Sequence, residues 1–147
     1  MKPITVTTTV ARPIAEVYEH LAVIGNHEAF TDHMLVDWTV SGPTSGVGAI
    51  ADVQSTLGAR KEPVRFEVVE AEPPSRILER SVAAKGRRVA TGEFRLADAG
   101  GAATDVTFTF TLEQAPWYER PLMPLLAPKL RKANQTSLER LAEQLAP

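Results

Sequence analysis

PWYERPLMPLLAPKLRKANQTSLERLAEQL, residues 116–145, is the stretch on which the fold turns. Leu122, Leu126 and Leu130 lie four apart, Leu138, Leu141 and Leu145 continue the stripe, and Leu125 and Ala133 widen it. This is helical spacing with one apolar face. The opposite face carries Lys129, Arg131, Lys132, Glu139, Arg140 and Glu143, with Asn134, Gln135 and Thr136 keeping the middle polar. Roughly 28 residues of helix would run about 40 Å at 1.5 Å per residue. That is longer than helix-on-helix packing in a small domain requires, and it implies a sheet that wraps around the helix. Pro116, Pro121, Pro124 and Pro128 cannot all sit in a first turn, so a kink or a short separate turn is expected before Lys129.

Upstream the chain alternates at period two. Residues 104–112 are the clearest strand, with Val106, Phe108, Phe110 and Leu112 facing one way and Thr107, Thr109 and Thr111 the other. Residues 4–10 set Ile4, Val6, Thr8 and Val10 against Thr5, Thr7 and Thr9. If these two strands pair, their threonines form a row facing solvent. Pro13 suits the first position of a helix over 13–22, whose apolar face is Ile14, Val17, Tyr18 and Leu21 and which Gly25 closes. Residues 26–34 read as a second short helix or helical turn. Further strands are expected over 35–40, with Val36, Trp38 and Val40 on one face, then over 49–57, 64–68, 76–84 and 88–96. Turns at 41–48, 58–61 and 85–87 and a loop at 97–102 separate them, and Pro73-Pro74 stops the fourth strand. Tight turns between neighbours imply an antiparallel meander.

A chain of 147 residues is most simply one domain, 1–147, long enough for a real core. Sixteen basic residues stand against 18 acidic ones, a formal net charge of −2, and the basic clusters at 85–88 and 129–132 are short. Nucleic-acid binding needs a larger basic surface and is not supported. There is no cysteine, which excludes disulfides and thiolate chemistry. The N-terminus enters a strand pattern without a signal-peptide apolar region, and no segment is long enough to span a bilayer, so a cytoplasmic location is the default.

The order of elements resembles the helix-grip fold of the START-like, or SRPBCC, superfamily of the polyketide cyclase/dehydrase and lipid-transport type, with its Bet v 1-like architecture. Val10-Ala11-Arg12-Pro13-Ile14-Ala15-Glu16-Val17-Tyr18 is similar to that family's strand-to-helix entry. Asn26-His27-Glu28-Ala29-Phe30 resembles its Asn-His-x-x-aromatic segment, and Gly42-Pro43 with Gly46-Val47-Gly48 its Gly-Pro and Val-Gly turn. Glu70-Ala71-Glu72-Pro73-Pro74 and the final helix fit the same pattern. The resemblance implies an α+β class: a curved antiparallel sheet of about seven strands wrapped around the long C-terminal helix, with two short helices after the first strand. It also implies a cavity between sheet and helix that takes apolar or aromatic molecules. The inward faces of the strands (Val106, Phe108, Phe110, Phe66, Val68, Phe94 and Leu96) would line it.

The candidate ligand-binding residues are Phe30, Trp38, Phe66, Phe94, Phe108, Phe110, Trp117, Leu126, Leu130 and Asn134. Trp117 and Tyr118 would stack on a ligand at the mouth or anchor a core edge. Asn134 would orient a ligand or, the reading favoured here, face water. The run Met123-Pro124-Leu125-Leu126 reads as a kinked packing segment, or else as a mobile lid or partner surface. His27 or an inward Glu or Arg is the acid/base candidate, and His27 is set against a structural reading in which it caps or packs the helix pair. His33 reads as surface as readily as site. His27 and His33 lie six apart, which is not a helical ligand spacing, and only His20 is otherwise available, so no metal and no cofactor are expected. Arg65, Glu67, Glu79 and Arg80 read as outward cross-strand pairs, although strand alternation turns one of Glu79 and Arg80 inward.

The leading function is therefore binding of a polyketide-, isoprenoid- or acyl-like molecule, as carrier or sensor. The alternatives are an aromatic polyketide cyclase or dehydratase using an acid/base group in the cavity, and a protein-interaction module. A titratable group inside the cavity distinguishes the enzyme; a symmetric homodimer stays open. Phe108→Ala is expected to cost about 3–5 kcal/mol in urea unfolding if Phe108 faces the core, and a loss below about 1 kcal/mol would reject the inward assignment.

Overall fold

The threonine rows meet. In the computed structural model, which describes residues 1–147, β1 (Ile4–Val10) pairs antiparallel with β7 (Ala103–Gln114), Thr5 opposite Thr109 and Thr7 opposite Thr107. The hydroxyls of Thr5 and Thr109 lie 3.1 Å apart, and Thr9 donates to Asp105 at 2.7 Å. Between these strands run α1 (Ile14–Ala22), a 3-10 turn (Ile24–His27), α2 (Glu28–Thr31), β2 (Leu35–Ser41), β3 (Ile50–Ser55), β4 (Glu62–Glu72), β5 (Arg76–Ala83) and β6 (Arg88–Gly100). The chain ends in α3 (Met123–Gln144). Seven strands form one antiparallel sheet in the order β1-β7-β6-β5-β4-β3-β2. The architecture is the α+β helix grip that the motifs imply.

The structure moves several boundaries. β6 and β7 extend through the expected loop at 97–102 and reverse at Gly101 and Ala102, both at positive φ. β4 runs from Glu62 to Glu72 and ends at the expected stop, Pro73-Pro74. Pro13 caps α1 with extended backbone instead of occupying its first turn. In the last segment, residues 117–122 form separate turns anchored on Pro116, whose carbonyl accepts from the amides of Glu119 and Arg120. α3 then begins at Met123, with Pro124 in its first turn, and continues through Pro128. Its 22 residues span roughly 33 Å.

β2 departs from simple alternation. Val36 pairs with Gln54 but Thr39 with Asp52, so two residues of β2 oppose one of β3, and Asp37 takes φ +56°. Such a bulge re-aims the next side chain. Trp38 joins Leu35 on the inner face and donates from Nε1 to the Leu35 carbonyl at 3.0 Å. Val40, expected beside Trp38, is exposed.

α3 lies along β1 and against α2. Its second half carries the packing: Leu138 and Leu141 are fully buried, whereas Leu122, Leu125 and Leu126 are exposed. The apolar stripe is thus only half used for core, because the first half of α3 stands over the open end of the sheet. Side chains of α3 also serve the edge strand. Arg131 and Gln135 donate to the Thr5 and Thr7 carbonyls, groups an edge strand leaves unpaired.

Gly92 sits on the inner face of β6, where the Phe108 ring covers it. A Cβ there would come 2.8 Å from Phe108 Cζ. Gly92→Ala is therefore expected to displace that ring and destabilise the fold by about 1–3 kcal/mol in urea unfolding. An unchanged midpoint would show that the ring does not rest on the glycine.

Candidate functional site

Because α3 grips one side of the sheet and stands off its centre, the concave face encloses a cavity of about 410 Å³. Phe66, Phe94, Phe108 and Phe110 project into it from β4, β6 and β7. Phe30 and Trp38 close it from α2 and β2, and Leu126, Leu130 and Asn134 from α3. Phe94 and Phe108 pack with ring centroids 4.8 Å apart. Trp117 does not join them: it is 79% exposed and stacks edge-on against Tyr118 outside the cavity. Pro116 and Ala115 take the buried positions in that turn, which forces the tryptophan outward. A larger concavity, about 690 Å³, lies on the outer face of β2–β5. Polar residues predominate in its wall, and Arg65 pairs there with Asp52 at 2.8 Å.

Of the four charged strand residues, Arg65, Glu67 and Arg80 face outward and Glu79 faces in. Glu79 is 6% exposed, on the same face of β5 as Ile77 and Ala83, and lies opposite Gly92 of β6. The outward reading fails for it because β5 places Ile77 on the core side, and alternation carries Glu79 with it. Its Oε1 lies 3.2 Å from Nδ1 of His27, itself 4% exposed, although the geometry is too skewed for a well-directed hydrogen bond.

Local sequence positions His27. The last carbonyls of a helix need outside donors. Asn26 Nδ2 donates to the His20 carbonyl at 3.0 Å, and His27 Nε2 donates to the Leu21 carbonyl at 2.7 Å. The histidine thus caps α1 while its ring packs against Phe30 and Phe94. Capping and cavity-facing are the same placement seen from two sides. The Leu21 carbonyl can only accept, so Nε2 carries a proton, and Nδ1 is the ring nitrogen that faces the Glu79 carboxylate. Burial pulls the His27 pKa down, but the Glu79 carboxylate and the Leu21 carbonyl together outweigh it and hold the pKa above the usual imidazole value. His20 is held low, first by burial and then by repulsion from His27.

Asn134, expected to face water, is 4% exposed and lines the cavity, and its Nδ2 has no hydrogen-bond partner. His33 is not plain surface: it is half-buried, and its Nε2 donates to the Ala133 carbonyl at 2.9 Å. Sequence reasoning missed Thr31 and Ser137, both buried in the wall, and the mouth cluster of Arg88, Glu62 and Glu119. Arg88 forks onto both oxygens of Glu119 and also pairs with Glu62, fastening the 117–122 turns to β6. The spacing of Asn134 and Ser137, three apart on one helix face, was the available signal for the wall. No signal links residues 62, 88 and 119. No three His, Asp or Glu side chains gather closely enough to hold a metal ion, and no helix is long and apolar enough to cross a membrane.

A family model described as polyketide cyclase / dehydrase and lipid transport matches residues 1–146, and the chain belongs to that family. Among solved structures, the Zhui aromatase/cyclase from Streptomyces sp. R1128 is similar at 15% identity and TM-score 0.74, over 97% of this chain and 94% of that one. The protein TTHA0849 from Thermus thermophilus is similar at 15% identity and TM-score 0.74, over 98% and 97%. Ara h 8.0201 is similar at 12% identity and TM-score 0.65, over 98% and 97%. At these identities the likeness is one of fold. No curated protein matches the sequence.

The raised His27 pKa sets the direction of a pH effect. A cation favoured in the folded state contributes stability that is full below the unfolded value, about 6.5. That contribution is lost as pH rises through the higher folded value. Wild-type stability in urea is expected to fall between about pH 6.5 and the more alkaline range, with that component absent in His27→Gln. His27→Ala leaves Glu79 buried without its partner and is expected to cost about 3–5 kcal/mol at neutral pH. A cost near zero would mean that the carboxylate is not held by the histidine.

Proposed function

We propose that this chain binds an apolar or aromatic carbonyl compound in the cavity and performs acid–base chemistry on it, of the kind used in cyclisation and dehydration. The observation that carries the proposal is the His27–Glu79 pair, a buried titratable unit on a wall otherwise built largely of apolar side chains. In the protonated-histidine state, Glu79 takes a proton from the carbon next to the carbonyl, and the electron pair moves into an enolate. The same proton then passes to a β-hydroxyl, the C–O bond breaks, a C=C bond forms and water leaves. The pair ends as it began. A positioned acid/base contributes typically 10²–10⁴-fold, and the apolar walls contribute orientation. The printed name of the Zhui aromatase/cyclase is in keeping with this reading. The second reading is a carrier, favoured by the apolar character of most of the lining.

Native mass spectrometry of the purified chain, followed by denaturing extraction, is expected to release an apolar compound. With 2-acetonaphthone in deuterated buffer, wild type is expected to speed exchange of the methyl protons next to the carbonyl. Glu79→Gln should slow that exchange about 10²-fold or more while still binding the ketone. Binding without exchange in wild type would leave the carrier.

A further inference from the structure

The hydrogen-bonding groups of the cavity are distributed unevenly along its length. At the mouth the charged groups are engaged: Arg88 holds Glu62 and Glu119, and Lys129 donates to the Leu57 carbonyl. Two polar atoms inside lack a properly directed partner, Glu79 Oε1 and Asn134 Nδ2, and both residues are more than nine-tenths buried. Both lie deep. Arg88 pairs with Ala83 and Gly92 with Glu79, so Glu79 is four strand residues inward of the mouth, roughly 13 Å at 3.3 Å per residue. Asn134 lies eleven residues past the first residue of α3, roughly 16 Å along the helix. The rim is the reverse: Leu122 and Leu126 are exposed there beside the cavity they line.

We infer that the ligand enters oxygen first: a neutral, oxygen-bearing head sits deep, accepting from Asn134, with its apolar body toward the mouth. The inference rests on the proposed function's reading that the cavity takes an apolar or aromatic molecule, and it adds which end of that molecule is recognised. A fatty-acid or phospholipid arrangement, with a charged head at the water-facing opening, is the opposite polarity. Two physical facts select a neutral head. An unpaired buried amide N–H costs free energy that an oxygen acceptor recovers, and a second buried anion beside the Glu79 carboxylate is repelled. A hydroxyl serves best, since it accepts from Asn134 or donates to Glu79. Exchanging the two ends of the Asn134 amide leaves a hydroxyl equally suited.

The test keeps one apolar body and changes the head. Naphthalene, 2-acetonaphthone, 2-naphthol and 2-naphthoate are titrated by calorimetry into the full-length chain, wild type and Asn134→Leu. Wild type is expected to bind 2-naphthol and 2-acetonaphthone about tenfold or more tighter than naphthalene, with 2-naphthoate weakest. Asn134→Leu should bring the ketone to within a few-fold of naphthalene while naphthalene itself binds at least as well. Binding of naphthalene and 2-naphthol with equal affinity in wild type overturns the inference and leaves the apolar cavity standing. Tightest binding of 2-naphthoate overturns it in favour of a charged head. No binding by any of the four removes the cavity reading together with it. The wild-type ranking decides even if Asn134→Leu folds poorly, and Asn134→Ala repeats the test with a smaller side chain.

Discussion

A seven-stranded sheet whose concave face is covered by one long helix cannot be filled. A helix with its side chains is only about 10–12 Å across, and neighbouring strands lie about 4.8 Å apart, so α3 covers two or three strands at most. It takes the β1 edge, where Arg131 and Gln135 fasten it to free carbonyls and Leu138 and Leu141 seat it. At the C-terminal end Arg12 donates to the Leu145 carbonyl. What remains over β4, β5 and β6 is the cavity. Its apolar lining follows from the same alternation that gives every strand an inner face, so the cavity is the unfilled part of the core.

That origin explains why one charged residue inside it matters. In a close-packed interior Glu79 would be expensive to keep ionised. Here it borders a histidine already committed to the end of α1 through the Leu21 carbonyl. The helix end and the buried pair consequently share a residue. Removing His27 disturbs a helix end and a buried carboxylate together, and activity loss in such a variant would carry little information. Changing Glu79 to its amide keeps the shape and removes the charge, which makes it the cleaner probe of function.

Much of the fold was legible in the residues. The threonine rows foretold the β1–β7 pairing, the turn chemistry foretold the meander, and the leucine spacing foretold the terminal helix. The local motifs from Val10 to Tyr18 and from Asn26 to Phe30 placed the family. The misses share a physical cause: each depends on what lies across space. Val40 faces outward, away from Trp38, because a bulge shifts β2 against β3. Trp117 faces outward because Pro116 and Ala115 occupy the buried side of their turn. Asn134 is polar on a helix whose polar face was assumed to be wet, yet this helix has one side toward a cavity instead of toward packed core. The Arg88 cluster joins residues from three separate segments, and no spacing along the chain encodes such a meeting.

The bulge in β2 has a consequence for how this pocket tolerates change. Substitutions at Asp37 or Thr39 alter one side chain each and leave the wall in place. Deleting Thr39 would instead restore regular pairing with β3 and place Asp37 opposite Val53, inward where the indole now lies, whereas deleting Asp37 would keep Trp38 at that place. The aromatic end-wall of the cavity is therefore robust to point mutation on either side of it and fragile to the loss of the residue that follows it, a sensitivity set by counting residues rather than by their chemistry.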